Sequence, residues 1–310
     1  MTTNVLFAAN DALWRDYRDP LRKALTEAGV DANLATDIPA PDVDYIVYSP
    51  GSDLQDFTPY TGCKAVLNLW AGVENIATNP TLDMPLARMV DEGLTQGMVE
   101  WVTGHVLRHH LGLDTHIVQQ DGTWRHDPPP LATDRTVTIL GLGQLGQACG
   151  EALAALGFDV AGWSRSAKDI PEITCLHGDD GLKNALEKAE ILVLLLPLTD
   201  ETTDLMNAAR LALLPRNAVI LNPGRGPLID DDALLAALDL GKLGHATLDT
   251  FRTEPLPPEH PFWAHPQVTV TPHIASETRP SSAARVIAEN VRRGEADEPF
   301  LHLVDRDLGY

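Results

Sequence analysis

Short apolar runs alternate with amphipathic stretches along most of the chain. In the second half, runs rich in Val, Ile and Leu predict strands at 136–140, 191–196, 218–221, 245–248 and 268–270. Helices are predicted between and after them at 144–156, 181–189, 231–240 and 281–293. Because strands buried on both faces form such continuous apolar runs, the pattern predicts an α/β fold with a doubly wound parallel sheet.

The N-terminal part of the chain shows the same alternation on a smaller scale. Strands are predicted at 5–8, 45–48 and 64–70. A helix predicted at 11–29 contains Pro20, where a kink or a break into two helices is expected. After a second long helix at 96–112, the stiff Asp-Pro-Pro-Pro segment at 127–130 indicates a domain junction. We therefore expect a small α/β domain ahead of the larger one.

Composition limits the class of protein. The 310 residues have 44% hydrophobic content, which is enough for two domains with their own cores. The formal net charge of −21 argues against nucleic acid as a partner, because binding a polyphosphate needs basic patches. An acidic small molecule would have to be attracted by local cations, so an arginine in a pocket becomes a more informative candidate.

Neither a membrane segment nor an export signal is expected. The longest strongly apolar stretch, 191–198, is interrupted by a proline and is too short to span a bilayer. The first ten residues lack the basic and apolar regions of a signal peptide. A cytoplasmic location is expected.

Cysteine and histidine spacing gives no support for a metal centre. Cys63, Cys149 and Cys175 lie far apart and include no C-x-x-C pair, so they are expected to be buried or idle thiols. His105 and His109 have the spacing of a metal pair on one helix face, but no third ligand accompanies them. No metal site is predicted.

A glycine-rich turn follows the strand at 136–140 and reads Gly-Leu-Gly-Gln-Leu-Gly. Gly141 and Gly143 allow a tight turn and a close approach to a pyrophosphate, while Gly146 lets the next helix pack on the strand. Such a turn alone is weak evidence, but Gly157 then ends the helix and a second strand completes a β-α-β unit. This context predicts a dinucleotide site with its pyrophosphate at the helix N-terminus.

The residues after the second strand of that unit indicate which dinucleotide binds. An NAD site usually has Asp or Glu there to accept hydrogen bonds from the ribose. This chain instead has Ser164, Arg165 and Ser166, with Lys168 beyond. Since a guanidinium beside two hydroxyls suits a 2′-phosphate, NADP(H) is predicted in preference to NAD(H). The alternative is that Arg165 is an ordinary solvated loop residue.

Three later segments each begin just after a predicted strand, at the carboxyl edge where open α/β sheets bind ligands. Arg225 lies between two glycines in the turn 222–227, Glu254 follows the next strand, and His273 follows the last one. Each residue alone could be structural. Together they bring a carboxylate-binding cation, a carboxylate and an imidazole beside the predicted nicotinamide site.

At this point the sequence resembles the D-isomer-specific 2-hydroxyacid dehydrogenase family. The matching segments are Leu-Leu-Leu-Pro-Leu-Thr at 194–199, Asn-Pro-Gly-Arg-Gly at 222–226, Leu-Asp-Thr at 248–250 with Glu254-Pro255, and Thr-Pro-His-Ile at 271–274. Within the family, segments 162–166 and 69–74 and the ending 308–310 most resemble the short glyoxylate/hydroxypyruvate reductases, a group that prefers NADPH.

The resemblance implies an architecture and partners. It implies a Rossmann dinucleotide-binding domain at 99–276 and a smaller flavodoxin-like substrate-binding domain formed by 1–98 and 277–310. It also implies a homodimer that acts on a small 2-keto or 2-hydroxy acid, without nucleic-acid or membrane partners.

The resemblance further implies roles for particular residues. The keto acid's carboxylate would bind Arg225 and backbone N–H groups around Ala71 and Gly72. His273 would donate the proton, and Glu254, bonded to the other ring nitrogen, would favour the charged imidazole. His273 and Trp70 complete the implied substrate-binding set. The implied cofactor-binding residues are Gly141, Gly143, Gln144, Leu145, Gly146, Trp163, Ser164, Arg165, Ser166, Leu196, Pro197, Pro223, Gly224, Asp249, His273 and Ala275.

The implied activity is NADPH-dependent reduction of glyoxylate and hydroxypyruvate to 2-hydroxy acids by hydride transfer. Larger keto acids such as phenylpyruvate are the alternative substrates, since Trp70 occupies a position where a small residue is common. The alternative to an enzyme is a binding protein that senses a dinucleotide, similar to the corepressors of this family. A 3-phosphoglycerate-type dehydrogenase is disfavoured by the absence of an acidic residue after the second strand of the unit.

Overall fold

The computed structural model describes residues 2–118 and 120–306, which contain twelve β-strands and nine α-helices. The strands are β1 (Thr3–Ala8), β2 (Ala32–Ala35), β3 (Tyr45–Tyr48), β4 (Ala65–Asn68), β5 (Leu86–Ala87), β6 (Thr136–Leu140), β7 (Asp159–Ser164), β8 (Thr174–His177), β9 (Ile191–Leu194), β10 (Ala218–Asn222), β11 (Leu243–Leu248) and β12 (Val268–Val270). The helices are α1 (Asp11–Glu27), α2 (Glu74–Ala77), α3 (Glu92–His110), α4 (Leu113–Val118), α5 (Gln144–Ala155), α6 (Gly178–Lys188), α7 (Ala208–Leu211), α8 (Asp231–Asp239) and α9 (Pro280–Glu295). The ending 308–310, which contributed to the resemblance, lies outside the described residues.

The described residues form two compact units. The first comprises the chain up to Leu94 and from Glu277 onward, and the second comprises Thr95–Ser276. The chain passes from the first unit to the second after Leu94, four residues before the boundary at 98 that the resemblance implied. It returns to the first unit at Glu277, the position that the resemblance implied. The proline-rich segment 127–130 is inside the second unit, so the junction expected there from local composition is wrong.

The first unit is built on a five-stranded parallel sheet of order β2-β1-β3-β4-β5. This is the flavodoxin-like order. Helices α1 and α9 bury their apolar sides in one core with the central strands. α1 runs through Pro20 as one helix and is not broken into two. After α9, Leu303 bridges to Ala87 in β5, so the described part of the C-terminal segment packs on this unit as expected.

The second unit contains a seven-stranded parallel sheet of order β12-β11-β10-β9-β6-β7-β8. The chain starts in the middle at β6, proceeds to β8 at one edge, and then returns to β9 and proceeds to the other edge. Apolar cores cover both faces of the sheet. The predicted fold class, a doubly wound sheet with a smaller α/β domain, is confirmed. Its ligand-binding crevice is expected where the strand order reverses, between β6 and β9.

Three strands, the start of α3 and the short helix α4 differ from the sequence prediction. β2, β5 and β8 were not predicted because each is a short edge strand without a continuous apolar run. α3 begins at Glu92 and not near 96, since the Asp91 carboxylate accepts hydrogen bonds from the N–H groups of Gly93 and Leu94. α4 was also missed. Within the described part of the chain, no helix has the length and apolar character needed to cross a membrane.

Candidate active site

The glycine-rich turn lies at the point where the strand order reverses. Gly141 has a φ of +107°, and a Cβ there would collide with the carbonyl group of Leu195. A Cβ on Gly146 would collide with the carbonyl oxygen of Gly141, so α5 packs directly against the turn. At Gly143, by contrast, nothing lies within 4 Å of the position that a Cβ would take. The turn is therefore closed on its protein side and open at Gly143, as a close approach to a phosphate requires.

The N-terminus of α5 is suited to an anion. Its N-cap residue, Gly143, provides no side-chain hydrogen bond to the helix, and the first turn contains no acidic residue. The first N–H groups and the positive end of the dipole of this twelve-residue helix favour negative charge here. Gln144 is exposed and Leu145 is half-buried. These residues fit the pyrophosphate of a dinucleotide.

The end of β7 carries residues that hydrogen-bond within the protein and residues that are exposed to a ligand. Ser164 is buried and its hydroxyl donates to the Ser166 carbonyl at 2.8 Å, so it shapes the turn. Trp163 is half-buried and its Nε1 donates to the Gly178 carbonyl at 2.9 Å. Arg165 and Ser166 are exposed. The exposed guanidinium and hydroxyl fit a 2′-phosphate, and the chain has no carboxylate between 164 and 168 that would repel one.

Arg225 lies in a turn that is held by the last residue of β10. The Asn222 side chain accepts from the N–H of Gly224 at 3.2 Å and donates to the carbonyl of Arg225 at 2.9 Å. Arg225 itself donates through Nη1 to the Gly224 carbonyl at 2.7 Å. A Cβ on Gly226 would collide with the backbone of Phe251, so only glycine lets this turn pack beside the end of β11.

His273 and Glu254 form a hydrogen-bonded pair. His273 Nδ1 lies 2.7 Å from Glu254 Oε2, and Glu254 Oε1 accepts from the N–H of Phe251 at 2.8 Å. Among the residues that the structure describes, no hydrogen bond engages His273 Nε2. The His273 side chain is 52% exposed. The imidazole is therefore oriented through one nitrogen and presents the other for proton exchange.

Asp249 lies beneath the turn that carries His273. It is completely buried, and its Oδ1 accepts from Thr271 Oγ1 at 2.6 Å and from the N–H of Ile274 at 2.9 Å. Its Oδ2 accepts from the N–H of Ala275 at 2.9 Å. These three bonds use three of the approximately four lone-pair directions of a carboxylate. A contact between Asp249 and a cofactor stays a prediction.

The other residues predicted to bind the cofactor lie at the same edge of the sheet. Leu196 and Pro197 follow β9, Pro223 and Gly224 follow β10, and Ala275 follows β12. All are buried or half-buried. The second unit thus brings the predicted phosphate-binding turn, Arg225, Glu254 and His273 to the carboxyl ends of neighbouring strands, while their individual roles stay predictions.

The remaining predicted substrate-binding residues belong to the first unit. Trp70, Ala71 and Gly72 follow β4 at the carboxyl edge of its sheet. Asn68 donates from its amide to the carbonyls of Trp70 at 2.8 Å and Gly72 at 3.0 Å, which fixes the turn. Trp70 is 47% exposed. Substrate binding by these three residues stays a prediction.

His109 of α3 has a hydrogen-bonding role in the second unit. His109 Nε2 lies 2.9 Å from Thr247 Oγ1, and its ring contacts that of His245 at 4.9 Å between centroids. Burial, assisted by the nearby His245 and Arg108, lowers the pKa of His109 to about 3. Across the described residues, no group of three or more His, Cys, Asp or Glu side chains has a metal-binding arrangement.

Sequence reasoning missed two residues of this region, Asn222 and Thr271. Both contact the turns that carry candidate catalytic residues. A polar residue directly after an apolar strand was the available signal for Asn222, because Asn there can hydrogen-bond to the backbone two or three residues on. For Thr271 no comparable signal existed, since its partner Asp249 is 22 residues away in the sequence.

Comparisons with known proteins agree with this geometry. Residues 104–275 match the family model described as D-isomer specific 2-hydroxyacid dehydrogenase, NAD binding domain. The chain is 39% identical to a D-isomer specific 2-hydroxyacid dehydrogenase from Xanthobacter autotrophicus Py2, solved with NADPH and MES. That similarity covers 100% of both chains, with a TM-score of 0.92.

Two further solved structures also match over their full length. An NADPH-dependent glyoxylate/hydroxypyruvate reductase from Sinorhizobium meliloti, in complex with NADP and sulfate, is 36% identical with a TM-score of 0.86, and 100% of both chains is covered. A probable 2-hydroxyacid dehydrogenase from Rhizobium etli CFN 42, in complex with NADP, HEPES and L(+)-tartaric acid, is 30% identical with a TM-score of 0.88, again over 100% of both chains.

Proposed function

The chain belongs to the D-isomer specific 2-hydroxyacid dehydrogenase family, and we propose that it reduces the small 2-keto acids glyoxylate and hydroxypyruvate to 2-hydroxy acids with NADPH. One observation carries this proposal: the His273–Glu254 pair and Arg225 occur together at the strand ends beside a dinucleotide-type turn. The glyoxylate/hydroxypyruvate reductase that matches over its whole length supports the choice of substrates.

NADP(H) is the cofactor we propose, in preference to NAD(H). Three similar proteins were solved with NADPH or NADP. In this chain, the exposed Arg165 and Ser166 follow β7 where an NAD site has a carboxylate. The pyrophosphate would lie on the N–H groups at the start of α5, next to Gly143.

The mechanism assigns a separate task to each side chain. NADPH, when bound, supplies the hydride for the carbonyl carbon of the keto acid. Arg225 binds the substrate carboxylate through two charge-assisted hydrogen bonds, each contributing about 1.5–3 kcal/mol when shielded from water. His273 holds a proton at Nε2 and donates it to the carbonyl oxygen, a step that contributes roughly 10² to 10⁴-fold to the rate. Glu254 fixes the orientation of the ring through its hydrogen bond to Nδ1.

The activity test follows absorbance at 340 nm with glyoxylate, hydroxypyruvate, pyruvate and phenylpyruvate, each supplied with NADPH and separately with NADH. We expect oxidation of NADPH with the two small acids and a lower kcat/KM with NADH. Faster turnover of phenylpyruvate would replace the substrate assignment with the larger keto acids. Absence of turnover with every pair, despite measured NADPH binding, would contradict the proposed function and favour a dinucleotide-sensing role.

We also propose that the chain forms a homodimer, as the family resemblance implies. Large apolar side chains are exposed on the described part of segment 111–131 in the second unit, including Ile117, Val118, Trp124 and Leu131. Such a concentration of exposed apolar side chains is typical of a protein contact surface. Light scattering coupled to size-exclusion chromatography should give twice the chain mass of 33.6 kDa. A cytoplasmic location and the absence of nucleic-acid and membrane partners stay predictions.

A further inference from the structure

We infer that Asn222 and Asp249 are a coupled pair of positioning residues, in which Asn222 sets the turn of Arg225 and Asp249 sets the turn of His273. The inference rests on the proposed function for the roles of Arg225 and His273. It gives Asn222 a role that the sequence motifs did not suggest. It also gives Asp249 a role different from the cofactor contact expected of it.

Asn222 shapes the arginine turn through both ends of its amide. Its Oδ1 accepts from the Gly224 N–H at 3.2 Å, and its Nδ2 donates to the Arg225 carbonyl at 2.9 Å. The side chain is 1% exposed, so water cannot replace these partners. The backbone on both sides of Arg225 is thereby fixed relative to the end of β10.

Asp249 holds the histidine turn through four hydrogen bonds. Its side chain accepts from Thr271 Oγ1 and from the N–H groups of Ile274 and Ala275, and its carbonyl accepts from the His273 N–H at 2.8 Å. His273 has a φ of +54°, a conformation that residues with a Cβ rarely adopt. Because the His273 side chain is exposed, its direction depends on this backbone and on Glu254.

The two positioning residues are joined to each other. The Asp249 N–H donates to the Asn222 carbonyl at 3.0 Å, and the neighbouring strands β10 and β11 carry them at their ends. A shift of either residue therefore changes the position of one reacting turn relative to the other. Misplacement by about 1 Å can lower a catalysed rate by roughly 10²-fold.

Two nearly isosteric variants and one control test this pair. Asp249→Asn replaces one carboxylate oxygen by an NH₂ group, which opposes the N–H of residue 274 or that of residue 275, because the two donate to different oxygens. Asn222→Asp places a carboxylate oxygen against the Arg225 carbonyl. Thr247→Val removes another buried hydroxyl from β11, where it contacts His109, and serves as the control. For each protein we would measure kcat, the KM for glyoxylate, the Kd for NADPH and the melting temperature.

We expect Asp249→Asn to lower kcat by about 10²-fold with little change in the Kd for NADPH. Asn222→Asp should raise the KM for glyoxylate about tenfold, because the guanidinium is misdirected. Thr247→Val should keep wild-type kinetics even if it melts earlier. A purely structural role predicts instead that kcat per folded molecule is unchanged in all three variants, and that result would overturn the inference. If Asp249→Asn fails to fold, Thr271→Val removes only one of the four hydrogen bonds and replaces it in the series.

A second readout does not depend on activity. NMR of protein labelled with ¹⁵N-histidine reports the ring of His273, whose signal is assigned by its loss in His273→Gln. We expect Asp249→Asn to shift this signal and Thr247→Val to leave it in place. If the wild-type enzyme reduces none of the keto acids, the proposed function fails while this measurement still tests the positioning. An unshifted signal in folded Asp249→Asn would contradict the positioning role itself.

Discussion

Two half-buried histidines, His109 on α3 and His245 on β11, lead to a quantitative prediction about acid stability. Burial, together with the positive Arg108 nearby, lowers the pKa of His109 to about 3 and that of His245 to about 4. Both rings accept or donate hydrogen bonds to threonines, at 2.9 Å for His109 with Thr247 and at 2.8 Å for His245 with Thr269. In the unfolded chain, each imidazole returns to a pKa of about 6.5.

The direction and size of the effect follow from proton linkage. Between the unfolded pKa and the lowered folded values, the unfolded chain binds more protons than the folded one, so stability falls as the pH falls. The contribution of each neutral ring to the free energy of unfolding is complete well above pH 6.5. It is lost progressively as the pH drops toward the pKa of that ring in the folded protein. From pH 7 to pH 5, each imidazole should reduce the free energy of unfolding by about 2 kcal/mol. The two together should remove about 4 kcal/mol.

Chemical unfolding at the two pH values, followed by circular dichroism at one fixed protein concentration, measures this loss. His109→Gln keeps a hydrogen-bonding amide near Thr247, but this side chain does not titrate. Between pH 7 and pH 5, the free energy of unfolding of the variant should therefore fall by about 2 kcal/mol less than that of the wild type. His116→Gln is the matched control, since His116 is an exposed histidine in the same unit. Equal pH dependence of the wild type and His109→Gln would refute the reasoning.

Four further substitutions test the proposed cofactor and proton-transfer sites. Arg165→Ala should lower kcat/KM with NADPH by about tenfold or more and leave kcat/KM with NADH nearly unchanged, as steady-state kinetics with both cofactors will show. Gly146→Ala should lower the free energy of unfolding by ~1–3 kcal/mol, because its methyl group meets the Gly141 carbonyl. Gly143→Ala has open space around its methyl group and should lower it by less, since only the helix N-cap is affected. Glu254→Gln should lower kcat by roughly 10²-fold while the KM for glyoxylate changes little, and unchanged turnover would remove Glu254 from the mechanism.

Much of the second unit could be predicted because its signals are local. The apolar run of β6, the glycine-rich turn and the helix that follows are consecutive in the chain, and each element has a length and composition typical of its structure. Gly141 and Gly146 are also required by backbone contacts that any β-α-β unit of this kind makes. The predicted limits of α5 accordingly differ from the observed ones by a single residue.

Other elements escaped prediction because their stability comes from distant neighbours. β5 has only two residues, and its pairing with β4 and Leu303 depends on segments far away in the sequence. α1 continues through Pro20 because its buried side packs on the sheet and on α9, contacts that local propensity does not include. The start of α3 also differs from the sequence prediction, since its N-terminus is fixed by the Asp91 carboxylate and not by its apolar pattern.

The same distinction separates the candidate catalytic residues from those that position them. Arg225, Glu254 and His273 could be proposed from residue type, because a guanidinium, a carboxylate and an imidazole have few common roles at strand ends beside a nucleotide turn. Asn222 and Asp249 act mainly through backbone groups, which every residue has, so residue type does not reveal their role, and the side-chain partners of Asp249 are also distant in the sequence. Complete burial means that each of their hydrogen bonds must be satisfied by protein. Their effect on the reaction should therefore appear as altered geometry of Arg225 and His273, and not as a change in the chemistry that either of those side chains performs.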